Sequence, residues 1–220
     1  IATAAQTIRN QFNPIVDYST SFSDNSLSGL ATLSWEFSDD GLVYASYSRG
    51  NKSGGLNLTS LPVGVNPDVA PESVNNYEVG IKTQWLDRAL TINAAAFWGE
   101  ITNYQTAITE QVANTVNVRQ YIANIPGVRS RGIEADVIAA PSDRVSVYAS
   151  IAYADTTYSS YPNAPQAPER LNLGGIQDLS GVQLPGVPKF TYTLGGDASL
   201  PLGPLAGRDA ALYLHADWSH

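Results

Sequence analysis

Apolar and polar residues alternate along much of this chain with the period of two that is typical of β-strands. The clearest stretch runs from Asn76 to Trp85. One face carries Tyr77, Val79, Ile81, Thr83 and Trp85, and the other carries Asn76, Glu78, Gly80, Lys82 and Gln84. Successive side chains of a strand point to opposite sides of its sheet, so this stretch predicts a strand with one apolar and one polar face.

The same alternation recurs in six further stretches, which predict further strands. Their apolar sides are Ala31–Leu33–Trp35–Phe37, Leu90–Ile92–Ala94–Ala96–Trp98, Ile133–Ala135–Val137–Ala139, Val145–Val147–Ala149–Ile151–Tyr153, Phe190–Tyr192–Leu194 and Leu212–Leu214–Ala216–Trp218. The stretch with Phe190, Tyr192 and Leu194 on one side has Lys189, Thr191 and Thr193 on the other. Another strand is expected from Leu42 to Ser48, and its facing stays open. Together the pattern predicts an all-β chain of about eight strands.

The connections between these strands alternate in length. Short turns are expected at Ser38–Gly41, Leu86–Arg88 and Pro141–Asp143, with a longer one from Pro201 to Arg208. Long polar loops are expected at Gly50–Ser73, Asn103–Gly127 and Thr156–Gly186. A soluble sandwich has no reason to gather its long loops at one end, whereas a transmembrane barrel has short periplasmic turns and long extracellular loops. Strands of about 10 residues with aromatic ends also suit an antiparallel transmembrane β-barrel.

Composition narrows the possible classes further. The 220 residues are 43% hydrophobic, 15% charged and 10% aromatic, which is too apolar for a disordered chain. The richest apolar stretch, Ala89–Gly99, is interrupted by Thr91 and Asn93, so a transmembrane helix is not expected. The absence of cysteine excludes thiol catalysis and cysteine metal sites. A net charge of −8 without a basic cluster argues against a nucleic-acid partner.

Five stretches, in order, resemble the barrel of TonB-dependent receptors. They are V-Y-A-S-Y-S-R-G-N-K-S-G-G-L from Val43, P-E-S-V-N-N-Y-E-V-G-I-K from Pro71, Leu90 to Gln105 ending in N-Y-Q, N-I-P-G-V-R-S-R-G-I-E-A-D from Asn124, and L-P-G-V-P-K-F-T-Y from Leu184. Asn51 departs from the family pattern, which usually has an aromatic residue there. Full receptors of this family are plugged barrels of 22 strands. The resemblance therefore implies that residues 1–220 are one part of a larger 22-stranded barrel domain.

The resemblance also implies a function. It implies a receptor in the bacterial outer membrane that takes up a scarce nutrient such as a ferric siderophore, cobalamin or a carbohydrate. Neither a plug domain nor a C-terminal aromatic strand is recognisable in these residues, and the N-terminus shows no signal peptide. The expected partners are outer-membrane lipid and lipopolysaccharide, a small nutrient ligand and the TonB complex, the last through the plug. No cofactor is expected.

Candidate chemistry is sparse, and catalysis is not expected. The two histidines are His215 and His220, and neither a nucleophile elbow nor a phosphate loop occurs. Glu134 and Asp136 share the polar face of one strand, which suits calcium binding or acid–base chemistry. The plainer interpretation is that they pair with Arg129 and Arg131 in a wet lumen.

Ligand contacts are better sought in the long loops, where basic and aromatic side chains suit an anionic iron chelate. The candidates are Arg49, Lys52, Tyr104, Arg119, Tyr121, Tyr158 and Tyr161. The competing interpretation for each is ordinary loop solvation or contact with lipopolysaccharide. Three other functions stay open: a passive porin-like barrel, a soluble secreted carbohydrate-binding β-sandwich, and a hydrolase.

Overall fold

The computed structural model describes residues 3–6, 21–58, 61, 65–111, 118–166, 170, 176–205 and 207–220. Its strands are β1 Gly29–Ser38, β2 Gly41–Lys52, β3 Gly55–Leu56, β4 Asp68–Val69, β5 Glu72–Trp85, β6 Leu90–Gln111, β7 Val118–Ser142, β8 Val145–Ser160, β9 Ala164–Pro165, β10 Ile176–Gln177, β11 Phe190–Leu205 and β12 Arg208–Ser219. None of the helices in the described ranges is long and apolar enough to cross a membrane.

Eight of the strands form one sheet in the order β1-β2-β5-β6-β7-β8-β11-β12. Each neighbouring pair is antiparallel, so the chain runs up and down along the sheet. The sheet is open: β1 and β12 lie at its two edges. The all-β prediction of about eight antiparallel strands is confirmed.

The register places the apolar residues of all eight strands on one face, called here the apolar face. One transverse row runs Trp35, Val43, Ile81, Ala94, Ala135, Ile151 and Tyr192. Large side chains on this face stay exposed, with Val79 58% and Ile133 61% accessible. Exposed apolar side chains in such continuous rows need a covering medium, because water solvates them poorly. The register also settles β2: Val43 lies on the apolar face, and Tyr44 lies on the opposite, polar face.

Aromatic side chains bound the apolar face at both ends. Tyr47, Tyr77 and Trp98 pair across three strands near the long connections, and they form what we call the aromatic row. Trp85 lies at the short-turn end of β5. Tyr77 and Trp85 are roughly 26 Å apart along the strand at about 3.3 Å per residue. The apolar band therefore has the height that a tilted strand needs to cross a membrane.

The connections differ from the sequence prediction in three places. The turns at Ser38–Gly41 and Leu86–Arg88 are found, the latter with φ of 57°, 55° and 71° at residues 86, 87 and 88. The expected turn at Pro201–Arg208 is wrong, because β11 continues to Leu205 through a register shift after Pro201. The expected loop at Asn103–Gly127 is wrong as well, since β6 and β7 pair as far as Gln111 and Val118. The expected turn at Pro141–Asp143 lies slightly later in the chain, because β7 continues to Ser142 and β8 begins at Val145.

Candidate functional site

The buried core of the described chain lies beyond the aromatic row, at the long-connection end. It is built from the extended parts of β7 and β8 with the segment after them. Its buried members are Ile125, Val128, Tyr158, Tyr161 and Ala164. Partly buried side chains pack around it: Ile101, Tyr104, Ile108, Leu179 and Leu184. Burial of these apolar side chains holds the extended hairpin against the connection that follows β8.

A cavity of about 400 Å³ opens beside this core. Tyr104, Tyr158 and Tyr161 line it, together with the polar side chains of Gln166 and Gln177. The Tyr158 and Tyr161 rings pack with centroids 5.2 Å apart at an interplanar angle of 58°. Three phenol rings and two amides give a concave wall that offers both stacking surface and hydrogen-bonding groups.

Burial makes two tyrosines of this wall, Tyr158 and Tyr161, harder to ionise. Burial raises the pKa of Tyr161 to about 12, and the neighbouring Tyr158 and Tyr121 contribute further. Burial also raises the pKa of Tyr158, with a smaller contribution from Tyr104. Desolvation disfavours the phenolate, so these side chains act as neutral hydrogen-bonding groups at ordinary pH.

Side-chain amides fasten the connection between β2 and β5 to the extended hairpin. Asn57, which is 6% exposed, donates to the carbonyl of Ile122 at 2.8 Å and accepts from its amide at 2.9 Å. Asn124 accepts from the Ala70 amide at 2.7 Å and donates to the carbonyls of Ala70 and Asn103 at 2.9 and 2.8 Å. These paired bonds extend the backbone pairing of the sheet into the connection.

Gln105 and Glu72 complete this fastening. The backbone amide of Gln105 donates to Glu72 Oε2 at 2.7 Å, and the side-chain amide of Gln105 donates to the carbonyls of Ser53 and Ala70 at 3.0 and 3.1 Å. Sequence reasoning noted Gln105 within the N-Y-Q motif but assigned none of these amides a role. A sequence signal for this role existed: two asparagines and a glutamine lie beside predicted strands, where side-chain amides often replace backbone hydrogen-bond partners.

Six of the seven predicted ligand contacts lie on strands rather than in loops, which corrects their expected setting. Arg49 and Lys52 belong to β2, Arg119 and Tyr121 to β7, and Tyr104 to β6. Tyr158 lies in β8 near its end at Ser160, and Tyr161 lies directly after that strand. The cavity lining includes three of the four tyrosines but neither Arg49 nor Lys52.

Arg49 has a different environment from the tyrosines. It is exposed, and its Nη1 donates to Asn75 Oδ1 at 3.1 Å, an oxygen that also accepts from the Tyr47 hydroxyl at 2.9 Å. Arg49 shares its transverse row with Asn75 and Glu100, on the same face as the aromatic row. The structure therefore brings the tyrosines together and holds Arg49 apart from them.

The polar face carries carboxylates whose partners differ from those predicted. Tyr44 donates to Glu78 at 2.6 Å, and Ser150 donates to Asp136 at 2.6 Å. The predicted pairing of Glu134 and Asp136 with Arg129 and Arg131 is wrong, because alternation puts the two arginines on the apolar face. The cation on the carboxylate side is Lys82, which lines one cavity with Glu134 and Asp136.

His215 sits between two carboxylates on the polar face near the short turns. Its Nδ1 is 2.8 Å from Asp197 and its Nε2 is 2.5 Å from Asp217. All three side chains are about half exposed. Among the described residues there is no group of three or more histidines and carboxylates that could hold a metal ion. The arrangement cross-links β11 to β12 across their register.

The sheet is open and antiparallel, with one continuous apolar face bounded by aromatics and one hydrogen-bonded polar face. These features define a wall segment of a transmembrane β-barrel. The family model of the TonB dependent receptor-like β-barrel matches residues 5–219. The chain belongs to this family. Its apolar face is the lipid-facing side, its polar face lines the lumen, and its long connections are extracellular.

Solved receptors of this kind share the fold. The siderophore receptor PiuA from Acinetobacter baumannii has a TM-score of 0.56 and 22% identity over 78% of this chain and 23% of its own. For the ferric-catecholate import receptor Fiu from E. coli K12, in its closed form, the TM-score is 0.56, with 21% identity over 84% of this chain and 24% of its own. The ferric yersiniabactin uptake receptor FyuA from Yersinia pestis has a TM-score of 0.57 and 17% identity over 79% and 23%. The chain thus spans about a quarter of each receptor.

Proposed function

We propose that this chain is part of the wall and extracellular surface of an outer-membrane receptor that imports a ferric siderophore with energy delivered through TonB. Family membership supports the receptor class. The names of three structurally similar proteins, which refer to a siderophore, a ferric catecholate and ferric yersiniabactin, support iron chelates over cobalamin or carbohydrate.

The observation that carries the proposal is the extracellular cavity of about 400 Å³ lined by Tyr104, Tyr158 and Tyr161. Aromatic rings and neutral phenol groups suit the flat, oxygen-rich surface of an iron chelate. Burial fixes the ring positions, so little side-chain freedom is lost on binding. In this proposal Tyr121 supports the wall from β7, and Lys52 and Arg119 supply positive charge near it, whereas Arg49 is held apart from the tyrosines and takes no part.

The remaining parts of the transport cycle are assigned to other parts of the receptor. Residues 1–220 would form one segment of the barrel domain, and the plug and the TonB contact would belong to the rest of it. The part of this chain would be to hold the lumen wall rigid and to capture the ligand. A closed hydrogen-bonded wall is required because lipid cannot satisfy free backbone groups.

The test is uptake of radiolabelled ligands by cells that carry the full-length receptor as their only siderophore receptor, with the label on iron for the siderophores and on the molecule itself for the others. A panel of ferric siderophores, cobalamin and maltodextrins is offered, with and without a dissipated proton-motive force. The proposal expects energy-dependent uptake of one ferric siderophore. In the Tyr104→Ala, Tyr158→Ala double variant we expect uptake to fall at least tenfold at limiting ligand.

Tyr213→Ala serves as the matched control, since Tyr213 is 79% exposed and lies outside the cavity. Uptake that persists without the proton-motive force would favour a passive pore and contradict the energised import proposed here. Uptake of cobalamin or maltodextrin in place of iron would overturn the substrate while leaving the receptor class intact.

A further inference from the structure

A cluster of cations lies on the apolar face immediately beside the aromatic row. The guanidinium carbons of Arg129 and Arg131 lie 5.3 and 5.6 Å from the centre of the Trp98 ring. Arg131 donates to Asp155 Oδ2 at 3.2 Å, and the Lys189 ammonium is 3.6 Å from the other oxygen of the same carboxylate. Lys189 was expected on the side opposite Phe190; it precedes β11 and reaches Asp155 on the apolar face instead.

The charge of this cluster is not balanced by its neighbours. Three cations, Arg129, Arg131 and Lys189, face one carboxylate of Asp155 and one of Glu100, which lies opposite Arg129 and accepts from Trp98 Nε1 at 3.0 Å. Arg129 Nε is buried without a hydrogen-bond partner among the described residues. The arginine and lysine of the Asp155 pair are each about half exposed, so they have free donors for a further anion.

The height of the cluster on the sheet defines what can reach it. Trp98, Arg131 and Asp155 form one transverse row, and the aromatic row marks the extracellular boundary of the apolar band. Lipid headgroups of the outer leaflet lie at this level. A phosphate there would meet donors already held in place by the Trp98 ring and by Asp155, and arginine binds phosphate through its planar fork.

An apolar groove begins directly below the cluster. Ala96 and Ala94, the next residues of β6 on the apolar face, form its floor with Ala135. Larger side chains form its walls: Val79 and Ile81 on one side, Tyr153 and Phe190 on the other. The groove encloses about 620 Å³ and is almost wholly apolar. Small residues between large ones leave a depression in which an apolar chain can pack.

We propose that this surface is a specific binding site for a phosphorylated glycolipid of the outer leaflet, of the lipid A type. Arg129, Arg131 and Lys189 take the phosphate, and the alanine-floored groove takes one acyl chain. Charge complementarity argues for this occupant, because an uncharged lipid would leave the cations unpaired. The proposal rests on the outer-membrane location of the proposed function but not on its substrate.

The test uses the full-length receptor, delipidated in a non-ionic detergent and titrated with bisphosphorylated lipid A under native mass spectrometry. We expect the Arg131→Ala, Lys189→Ala double variant to bind at least tenfold more weakly, since two charge-assisted contacts are lost. Arg208→Ala is the control, because Arg208 begins β12 at the short-turn end. Arg131→Lys keeps the charge and should retain part of the affinity, which separates lost binding from lost folding.

A second pair of variants tests the groove without changing charge. Ala96→Phe fills it and should weaken lipid A binding several-fold, whereas Ala149→Phe, on the apolar face outside the groove, should not. Inorganic phosphate and fully dephosphorylated lipid A are titrated alongside. Equal binding of lipid A by the double variant and the parent overturns the site. Equal affinity for inorganic phosphate, or for dephosphorylated lipid A, overturns phosphorylated lipid A as its ligand.

Iron uptake through the same variants keeps the two proposals separate. The lipid site lies on the outside of the wall, so loss of lipid A binding with normal uptake refutes neither proposal. Absence of iron uptake with normal lipid A binding would refute the transport proposal alone.

Discussion

At the scale of single residues, the extracellular surface depends on a few buried polar side chains as much as on its apolar core. Asn57 and Asn124 each form reciprocal bonds with backbone groups, which replace pairing that the short strands β3 and β4 do not supply. A buried backbone group that loses its partner costs about 1–3 kcal/mol. The connection between β2 and β5 therefore holds its position through specific amides.

Asn57→Ala should release this connection without unfolding the wall. Both partner groups of Ile122 lose their side-chain bonds, at a local cost of about 2–6 kcal/mol. We expect faster proteolysis between residues 53 and 70, with unchanged resistance of the barrel to heat in detergent. Asn57→Asp is the control, since its carboxylate still accepts from the Ile122 amide and should give an intermediate rate. Parent-like proteolysis of Asn57→Ala would contradict the fastening role.

Tyr161 should lose its proton at a higher pH than a free tyrosine does. Burial raises its pKa to about 12 from 10.0, so the neutral form stabilises the folded cluster. That contribution is complete below pH 10 and is lost as the pH rises from about 10 to 12. The difference in tyrosinate absorbance between the parent and Tyr161→Phe should show a step near pH 12. In urea the same difference should move to about pH 10; a step near 10 in the folded protein would mean that Tyr161 is exposed.

At the scale of elements, close contact between strands restricts which residues the sheet accepts. A Cβ on Gly132 would lie 1.9 Å from the carbonyl oxygen of Tyr153, within the β7–β8 ladder. A backbone atom of a ladder cannot move away without breaking hydrogen bonds. The glycine of this R-G-I-E-A-D stretch is therefore required by the distance between strands.

Gly132→Ala should destabilise the folded barrel by about 1–3 kcal/mol, as overpacking does elsewhere. Gly29→Ala is the matched control, because nothing lies within 4 Å of the added Cβ. Urea unfolding in phospholipid bilayers measures both variants. Equal midpoints for the two would show that the β7–β8 ladder relaxes around the methyl group.

The same substitution should lower the stability of the barrel much more on the apolar face than on the polar face. Ala135 lies at the middle of the apolar face, and Ala152 lies across from Glu134 on the polar face. Ala135→Lys should cost about 2–4 kcal/mol, the cost of a cation at the bilayer midplane. Ala152→Lys should cost little, because the ammonium meets water and Glu134. The urea midpoints of unfolding in bilayers measure both variants. Equal losses of stability in the two variants would contradict the assignment of the faces.

Alternation fixed the facing of most strands in advance, because period-two geometry is a local property of the chain. The Asn76–Trp85 stretch has the predicted faces throughout. The extension of β6 and β7 past Asn103 was missed, because polar residues look alike on a solvated strand and in a loop. Arg129 and Arg131 were misplaced because charge was assumed to face the lumen, whereas alternation alone would have put them outside. The tyrosine cavity depends on contacts between distant segments, which no local pattern reports.

At the scale of the whole molecule, the sheet has two unpaired edges in its described part, β1 and β12. Each edge presents backbone groups that lipid cannot satisfy. In the receptor proposed above, these groups would pair with further strands. The eight strands are therefore stable in a membrane only as part of a closed wall.

Residues 1–220 expressed alone should consequently self-associate in detergent. Edge strands recruit further strands, so we expect oligomers rather than a monomer of 23.5 kDa. Analytical ultracentrifugation in density-matched micelles measures the mass, with the full-length receptor as the control. A stable monomer of the isolated chain would indicate that β1 and β12 pair with each other.

The long β6–β7 hairpin has one more consequence. Its first strand has 22 residues, and roughly half of them suffice to cross the bilayer. The distal half therefore extends beyond the apolar band, where lipid no longer covers it. Substitutions there act on the core around Ile125 and Val128, whereas substitutions at its base act on the membrane wall. One hairpin thus has two halves that accept different residues, the outer half constrained by packing between protein segments and the inner half by lipid.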